Sequence, residues 1–92
     1  MTRIIQPPNI DFSMVFNKHL TAAPREIRIA FFGTLQLFRD DTDHPSLRNH
    51  SLKDRYAGFR SIDVTEDWRA IFRIERNRVV FVGIGTHDQL YG

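Results

Sequence analysis

Apolar and polar positions alternate most regularly in the last third of the chain, Phe59 to Gly92, FRSIDVTEDWRAIFRIERNRVVFVGIGTHDQLYG. Val, Ile, Phe and Trp recur there, and the polar clusters Thr65-Glu66-Asp67 and Arg76-Asn77 interrupt them at hairpin spacing. The pattern predicts three consecutive antiparallel strands and a short tail that places His87 and Tyr91. With Thr65-Glu66-Asp67 as a loop, Asp63 faces Arg69, Val64 faces Trp68 and Ile62 faces Ala70. One face then collects Ile62, Val64, Trp68, Ala70 and Phe72, and the other collects Phe59, Ser61, Asp63, Arg69 and Arg73. The second face is partly charged and is expected to stay open. A two-residue turn at Arg76-Asn77, with Asn at positive φ, brings back Val79 to Thr86. That strand is apolar on both faces, which suits a place in mid-sheet.

The first half has a different period. Thr2 to Gln6 reads as a short edge strand stopped by Pro7-Pro8, which supply no backbone donors. Asn9 or Asp11 can cap a helix over about 10–20, with Phe12, Val15, Phe16 and Leu20 at helical spacing. Thr21-Ala22-Ala23 is the break, and Pro24 suits the first turn of a second helix running to about Arg39. Its buried stripe is Ile27, Ala30, Phe31, Thr34, Leu35 and Phe38. Such a hairpin has one apolar side that must be covered. The expected architecture is α+β: a small antiparallel sheet with the two-helix hairpin packed on one face, in a single domain over 1–92. Between the halves, three acids and a Pro-containing loop lead into SLRNHSLKDRYAGFR, polar and basic, with Leu47, Leu52 and Tyr56 as anchors.

Composition narrows the function. The chain is 41% hydrophobic with eight Phe, enough for a folded core, and it contains no Cys. Disulfides, thiolate chemistry and zinc–cysteine sites are therefore excluded. No apolar run reaches the roughly 18 residues that span a membrane, and MTRIIQPPN has no signal-peptide core, so a cytoplasmic protein is expected. The net charge is only +2, but Arg48, Lys53, Arg55 and Arg60 stand against Asp54 alone over 48–60. A basic patch of this kind suits an anionic partner, although it also suits a solvated loop.

Several groups can converge on the open face or its rim: His50, Asp63 or Asp67, Arg60, Arg69 and Arg73, and His87 with Tyr91. Each has an ordinary alternative. A lone His is often structural, Asp67 before Trp68 fits a turn residue, Asp63 and Arg69 fit a cross-strand ion pair, and Tyr91 can pin the tail. His19 and His44 read as plain surface residues.

The succession Pro45-x-Leu47, His50-x-Leu52, Gly58-Phe59-Arg60-Ser61, Asp67-Trp68-Arg69 and Gly85-Thr86-His87-Asp88-x-Leu90-Tyr91 resembles the RelE/ParE superfamily of bacterial toxins, nearest its YafQ-like branch. The resemblance covers about 44–92 well and the first half in layout only. It implies a toxin of a toxin–antitoxin system, held by a cognate antitoxin in a hetero-oligomer and, when free, cutting mRNA on the ribosome. By position, His50, Asp67 and His87 match the family's catalytic histidine and acid positions, and Tyr91 its aromatic tail position. Two positions depart. Asp63 stands where active members have a His, which makes it a proton-transfer candidate altered in kind. Gly83 stands where members often carry an Arg.

No cofactor is needed for such chemistry. The ribose 2′-hydroxyl attacks the adjacent phosphate while a base takes its proton, an acid protonates the leaving 5′-oxygen, and cations hold the extra charge. His87 is the expected acid and His50 the base, with Asp67 orienting a histidine or taking the proton. Arg60 or Arg69 would steady the phosphate, Arg48, Lys53 and Arg73 add cations nearby, and Tyr91 can stack on a base. Three other readings compete. One is a ParE-like gyrase inhibitor that cuts nothing, and another a binding module of the same fold. The third is a metal hydrolase using His44, His50, His87 and Asp67, which lack an HxH or HExxH pairing.

Overall fold

Ser13 decides where the first helix begins. Its Oγ accepts the Phe16 N–H at 3.0 Å while its own backbone stays extended, so helix α1 is Met14–Ala22. The residues before it, Asn9–Phe12, are strand β1. The sequence pattern had given them to a helix over 10–20 capped by Asn9 or Asp11. Phe12 and Phe16 have helical spacing, but they belong to two elements whose rings stack in the core with centroids 5.5 Å apart. The structure, a computed structural model, describes residues 9–91, and the strand expected over Thr2–Gln6 lies outside them.

Helix α2, Arg25–Asp40, follows Pro24 as expected. Its buried stripe is Ile27, Phe31, Leu35 and Phe38, with Ala30 and Thr34 half-buried beside it. A 3-10 turn at Pro45–Leu47 leads to strand β2, His50–Ser51, and a second at Asp54–Tyr56 to strand β3, Arg60–Asp63. Strands β4, Trp68–Glu75, and β5, Arg78–Thr86, form the long hairpin, and helix α3, His87–Tyr91, ends the described chain. The tail read from the sequence is thus one short helix. No helix among the described residues is long and apolar enough to cross a membrane.

The α+β reading holds, but the sheet is mixed and five-stranded, in the order β1-β5-β4-β3-β2. Strand β1 runs parallel to β5, from Asn9↔Arg78 to Phe12↔Phe81, where an antiparallel sheet was expected. The pairing joins residues far apart in sequence, so no local turn signal announces it. The pairing puts β5 in mid-sheet, and the strand is apolar on both faces because the helical core covers one and α3 folds over part of the other. Arg76 and Asn77 form the predicted two-residue turn, with Arg76 rather than Asn77 at positive φ (55°).

Strand register sets the two faces. Ile62↔Ala70 and Asp63↔Arg69 pair as the three-residue loop requires. Ile62, Ala70, Phe72, Val79, Phe81 and Ile84 bury against Phe16, Phe31 and Phe38 of the helices. A fully buried aromatic of this kind contributes about 1.5–3 kcal/mol from burial. A register shift after Ile71 pairs Phe72 with Phe81, adding a residue to β5 and keeping both Phe81 and Ile84 on the core side. Ser61, Asp63, Arg69 and Gly85 consequently lie on the opposite face, where α3 folds back.

Candidate active site

Helix α3 is held by three devices. Thr86 and Gln89 form a reciprocal capping box: Gln89 Oε1 accepts the Thr86 N–H at 2.9 Å, and Thr86 Oγ1 accepts the Gln89 N–H at 3.1 Å. Leu90 is buried over the sheet, close to Gly85. Its carbonyl accepts the Tyr56 hydroxyl at 2.8 Å and Arg55 Nη2 at 3.0 Å. These contacts aim His87 and Tyr91 at β2 and β3. The two rings lie 4.8 Å apart between centroids, and the Tyr91 ring meets the Tyr56 ring edge-on at 5.4 Å.

Between α3 and the 48–52 segment lies an open groove of about 580 Å³, lined by Arg48, Asn49, His50, Leu52, Ser61, Arg69, His87 and Tyr91. Both candidate histidines, two of the candidate arginines and the tail aromatic therefore share one surface. His50 is exposed, and its Nδ1 lies 2.7 Å from the Arg48 carbonyl. A carbonyl can only accept, so Nδ1 carries a proton, and in the uncharged form of the ring Nε2 is the bare nitrogen. His87 is 70% exposed at the side chain, and its Nδ1 is 3.9 Å from Asp88 Oδ1. Ser61 is fully buried against the groove, and its hydroxyl has no hydrogen-bond partner among the described residues.

Asp63 sits between two guanidinium groups. Arg48 Nε is 2.6 Å from its Oδ2 and Arg69 Nε is 3.0 Å from its Oδ1, the second an ionic contact without hydrogen-bond alignment. Arg69 is further fixed by Nη1 donating to the carbonyls of Glu66 (2.8 Å) and Thr65 (3.2 Å).

The remaining candidates lie off the groove. Asp67 is exposed in the β3–β4 turn, where its N–H donates to Thr65 Oγ1 at 3.3 Å. Its carboxylate makes no hydrogen bond or ion pair among the described residues. Arg60 has Ile62 on its own side of β3, and its Nε donates to Asn49 Oδ1 at 2.8 Å, tying down the loop that carries His50. Arg73 pairs with Glu75 at 2.8 Å, and this hydrogen bond and charge hold the Glu75 carboxyl below its usual range. Lys53 is exposed at the start of the second 3-10 turn. Sequence reading put Ser61 on the open face without a role and Leu52 and Tyr56 among the anchors, but it assigned neither Asn49 and Leu52 to the groove nor Arg55 and Tyr56 to the support of α3. The THDQ capping box was the one legible signal for that support. Among the described residues, no three His, Asp or Glu side chains gather as metal ligands would.

Comparison with known proteins adds the family. The family of the bacterial toxin of type II toxin–antitoxin systems, YafQ, matches residues 9–92. The chain belongs to the YafQ family. It is a toxin of the type II toxin–antitoxin class, as the resemblance of its second half implied. Comparison with curated proteins found no match. Among solved structures, YafQ of E. coli strain BL21(DE3) superposes with a TM-score of 0.73 at 22% identity, over 92% of this chain and 99% of that one. A chain of the E. coli DinJ–YafQ toxin–antitoxin complex gives 0.76 at 22% identity, over 94% and 99%. A YoeB/ParE toxin from Agrobacterium tumefaciens gives 0.68 at 12% identity, over 86% and 98%. At these identities the structural likeness shows the shared fold, and the family match carries the toxin class.

Proposed function

We propose that this YafQ-family toxin is a metal-independent endoribonuclease that cuts mRNA in the groove between α3 and the 48–52 segment. The observation that carries the reading is the meeting of His50 and His87 on one open surface beside Arg48, Arg69 and Tyr91. His50 Nε2 takes the proton of the ribose 2′-hydroxyl as that oxygen attacks phosphorus. The bond from phosphorus to the 5′-oxygen breaks, and His87 donates a proton to that leaving oxygen. The products are a 2′,3′-cyclic phosphate and a 5′-hydroxyl. The Arg48 carbonyl fixes the His50 tautomer, so no carboxylate is required to orient this ring. Arg69 and Arg48 face the phosphate, and Tyr91, already braced by Tyr56, offers a ring for base stacking. Ser61 adds a hydroxyl on the groove floor that needs a partner.

The toxin acts in the cytoplasm on mRNA held by the ribosome, and a cognate antitoxin silences it. E. coli YafQ, similar in fold, is found in complex with DinJ, which supports a paired antitoxin for this chain. The test is a translation extract supplied with the protein and mapped for transcript ends. Wild type is expected to leave 2′,3′-cyclic phosphate ends, and a message with a single 2′-deoxy at the cut position is expected to survive there. His87→Ala lowers cleavage by about 10²- to 10⁴-fold, the usual span for a general acid. Growth arrest with intact transcripts and damaged DNA would instead support a gyrase inhibitor.

A further inference from the structure

Asp63 occupies a place where a carboxylate does more by holding than by reacting. Its side chain is 14% exposed, and both of its oxygens face guanidinium nitrogens, Arg48 Nε on one side and Arg69 Nε on the other. Both arginines bind it through Nε. Arg69 Nη1 is directed to backbone carbonyls, while Arg69 Nη2 and both Nη atoms of Arg48 make no hydrogen bond among the described residues. Two cations against one anion leave positive charge in the groove; the Arg48 plane is set by its hydrogen bond to Asp63, and that of Arg69 by the turn carbonyls together with the ionic contact to Asp63. Arg48 reaches Asp63 from a left-handed backbone position (φ 46°), unfavourable for a side chain of this kind and sustained where surrounding contacts over-determine it.

Resting on the nuclease reading above, we propose that Asp63 is a positioning residue that locks Arg48 and Arg69 into a two-pronged cradle for the scissile phosphodiester. The cradle supplies, from β4 and the 48–50 segment, the anion-holding charge that the glycine at 83 cannot. Arg69 is the fixed prong, 15% exposed and anchored to the turn carbonyls. Arg48 is the outer one, 66% exposed and held in place by its Nε–Asp63 hydrogen bond.

The proposal fixes the sign of an effect that net charge alone would reverse. Asp63→Asn makes the groove more positive, so simple attraction predicts better use of RNA. Loss of alignment instead lowers kcat by about tenfold or more while KM stays level or falls, since a misplacement near 1 Å can cost about 10²-fold. The acidic limb of the pH–rate profile stays in place. Disappearance of that limb would make Asp63 the proton acceptor and overturn the proposal, as would an unchanged kcat. Arg69→Lys keeps the charge but not the planar fork, and the double variant is expected to be no worse than the poorer single one. Additive losses would sink the cradle.

A readout independent of cleavage keeps the two readings apart. In wild type the Arg48 and Arg69 Nε–Hε NMR signals are expected to be distinct, and to move when an uncleavable 2′-O-methyl oligoribonucleotide is added. In Asp63→Asn the Arg48 signal merges with those of surface arginines, while the Arg69 signal shifts but stays apart because its Nη1 remains on the turn carbonyls. An Arg48 signal unchanged in Asp63→Asn would refute positioning whether or not RNA is cut. A wild type with held arginines and no nuclease activity would fault the function and spare the cradle.

Discussion

Gly83 and Gly85 lie under the same helix, yet a side chain would meet different surroundings at each. A Cβ on Gly85 would fall 3.0 Å from Gln89 Oε1, 3.3 Å from Gln89 Cβ and 3.4 Å from Leu90 Cγ. Gln89 cannot swing aside freely, because its side chain closes the capping box with Thr86. At Gly83 the nearest atom is Leu90 Cδ2 at 3.9 Å, an ordinary contact. Gly85→Ala is therefore expected to lower stability by about 1–3 kcal/mol through overpacking, and to reduce cleavage by displacing His87. Gly83→Ala, in extended backbone that any residue adopts, raises stability by about 0.4–1 kcal/mol through the unfolded chain. Thermal melts of the two variants decide it; equal shifts would mean that α3 does not press on β5 as described. Some of this was legible at the residue scale. The Asp63–Arg69 pairing followed from strand register alone, whereas Arg48 joins it across a loop whose left-handed residue has no sequence signature.

Among the elements, α3 depends most on its surroundings. Five residues are far too few for a helix to stand in water by itself, since isolated helices shorter than about 12–15 residues are marginal. Its order comes from the capping box, from Leu90, and from the Tyr56 and Arg55 bonds to the Leu90 carbonyl. Thr86→Ala or Gln89→Ala is expected to destabilise it by about 0.5–2 kcal/mol. Because the two bonds support one turn, the double variant falls short of the sum. Hydrogen exchange at 87–91 should rise in each variant while the β4–β5 amides keep their protection. Uniform acceleration throughout the sheet would show that α3 is no separate unit. The same scale shows which elements sequence patterns reveal. The β4–β5 hairpin and α2 were readable because period 2, period 3.6, turn residues and Pro24 all agree there. Strand β1 was hidden, since Phe12 and Phe16 imitate helical spacing across the Ser13 cap. Strand β2 has two residues, too short to show any period.

Taken whole, the molecule is organised around Phe81, which is fully buried. Its ring meets Phe12 of β1 at 5.9 Å, Phe16 of α1 at 5.6 Å, and Phe31 and Phe38 of α2 at 5.5 and 5.8 Å. Phe72 of β4 completes the cluster at 5.3 Å. Eight Phe in the sequence announced an aromatic core, but which of them would be the centre depended on the parallel β1–β5 pairing and on the register shift in β5. Neither leaves a local trace. Removing this ring takes a shared partner from four elements at once, so the cavity cannot close by moving only one of them. Phe81→Ala is expected to lose about 3–5 kcal/mol, against a total of about 5–15 kcal/mol for an ordinary domain. Phe32, on the outer side of α2 and 60% exposed, provides the control. Phe32→Ala stays within about 0.5 kcal/mol. In urea, Phe81→Ala should shift the unfolding midpoint strongly downward while Phe32→Ala leaves it in place. The groove beside α3 lies on the other side of the sheet from this cluster, yet β3, β4 and β5 carry residues on both faces. Activity at low temperature, where Phe81→Ala is still folded, should therefore be close to wild type and then collapse at its own melting point. If activity vanished well below that point, the core would be tuning the groove directly and not merely holding the sheet that bears it.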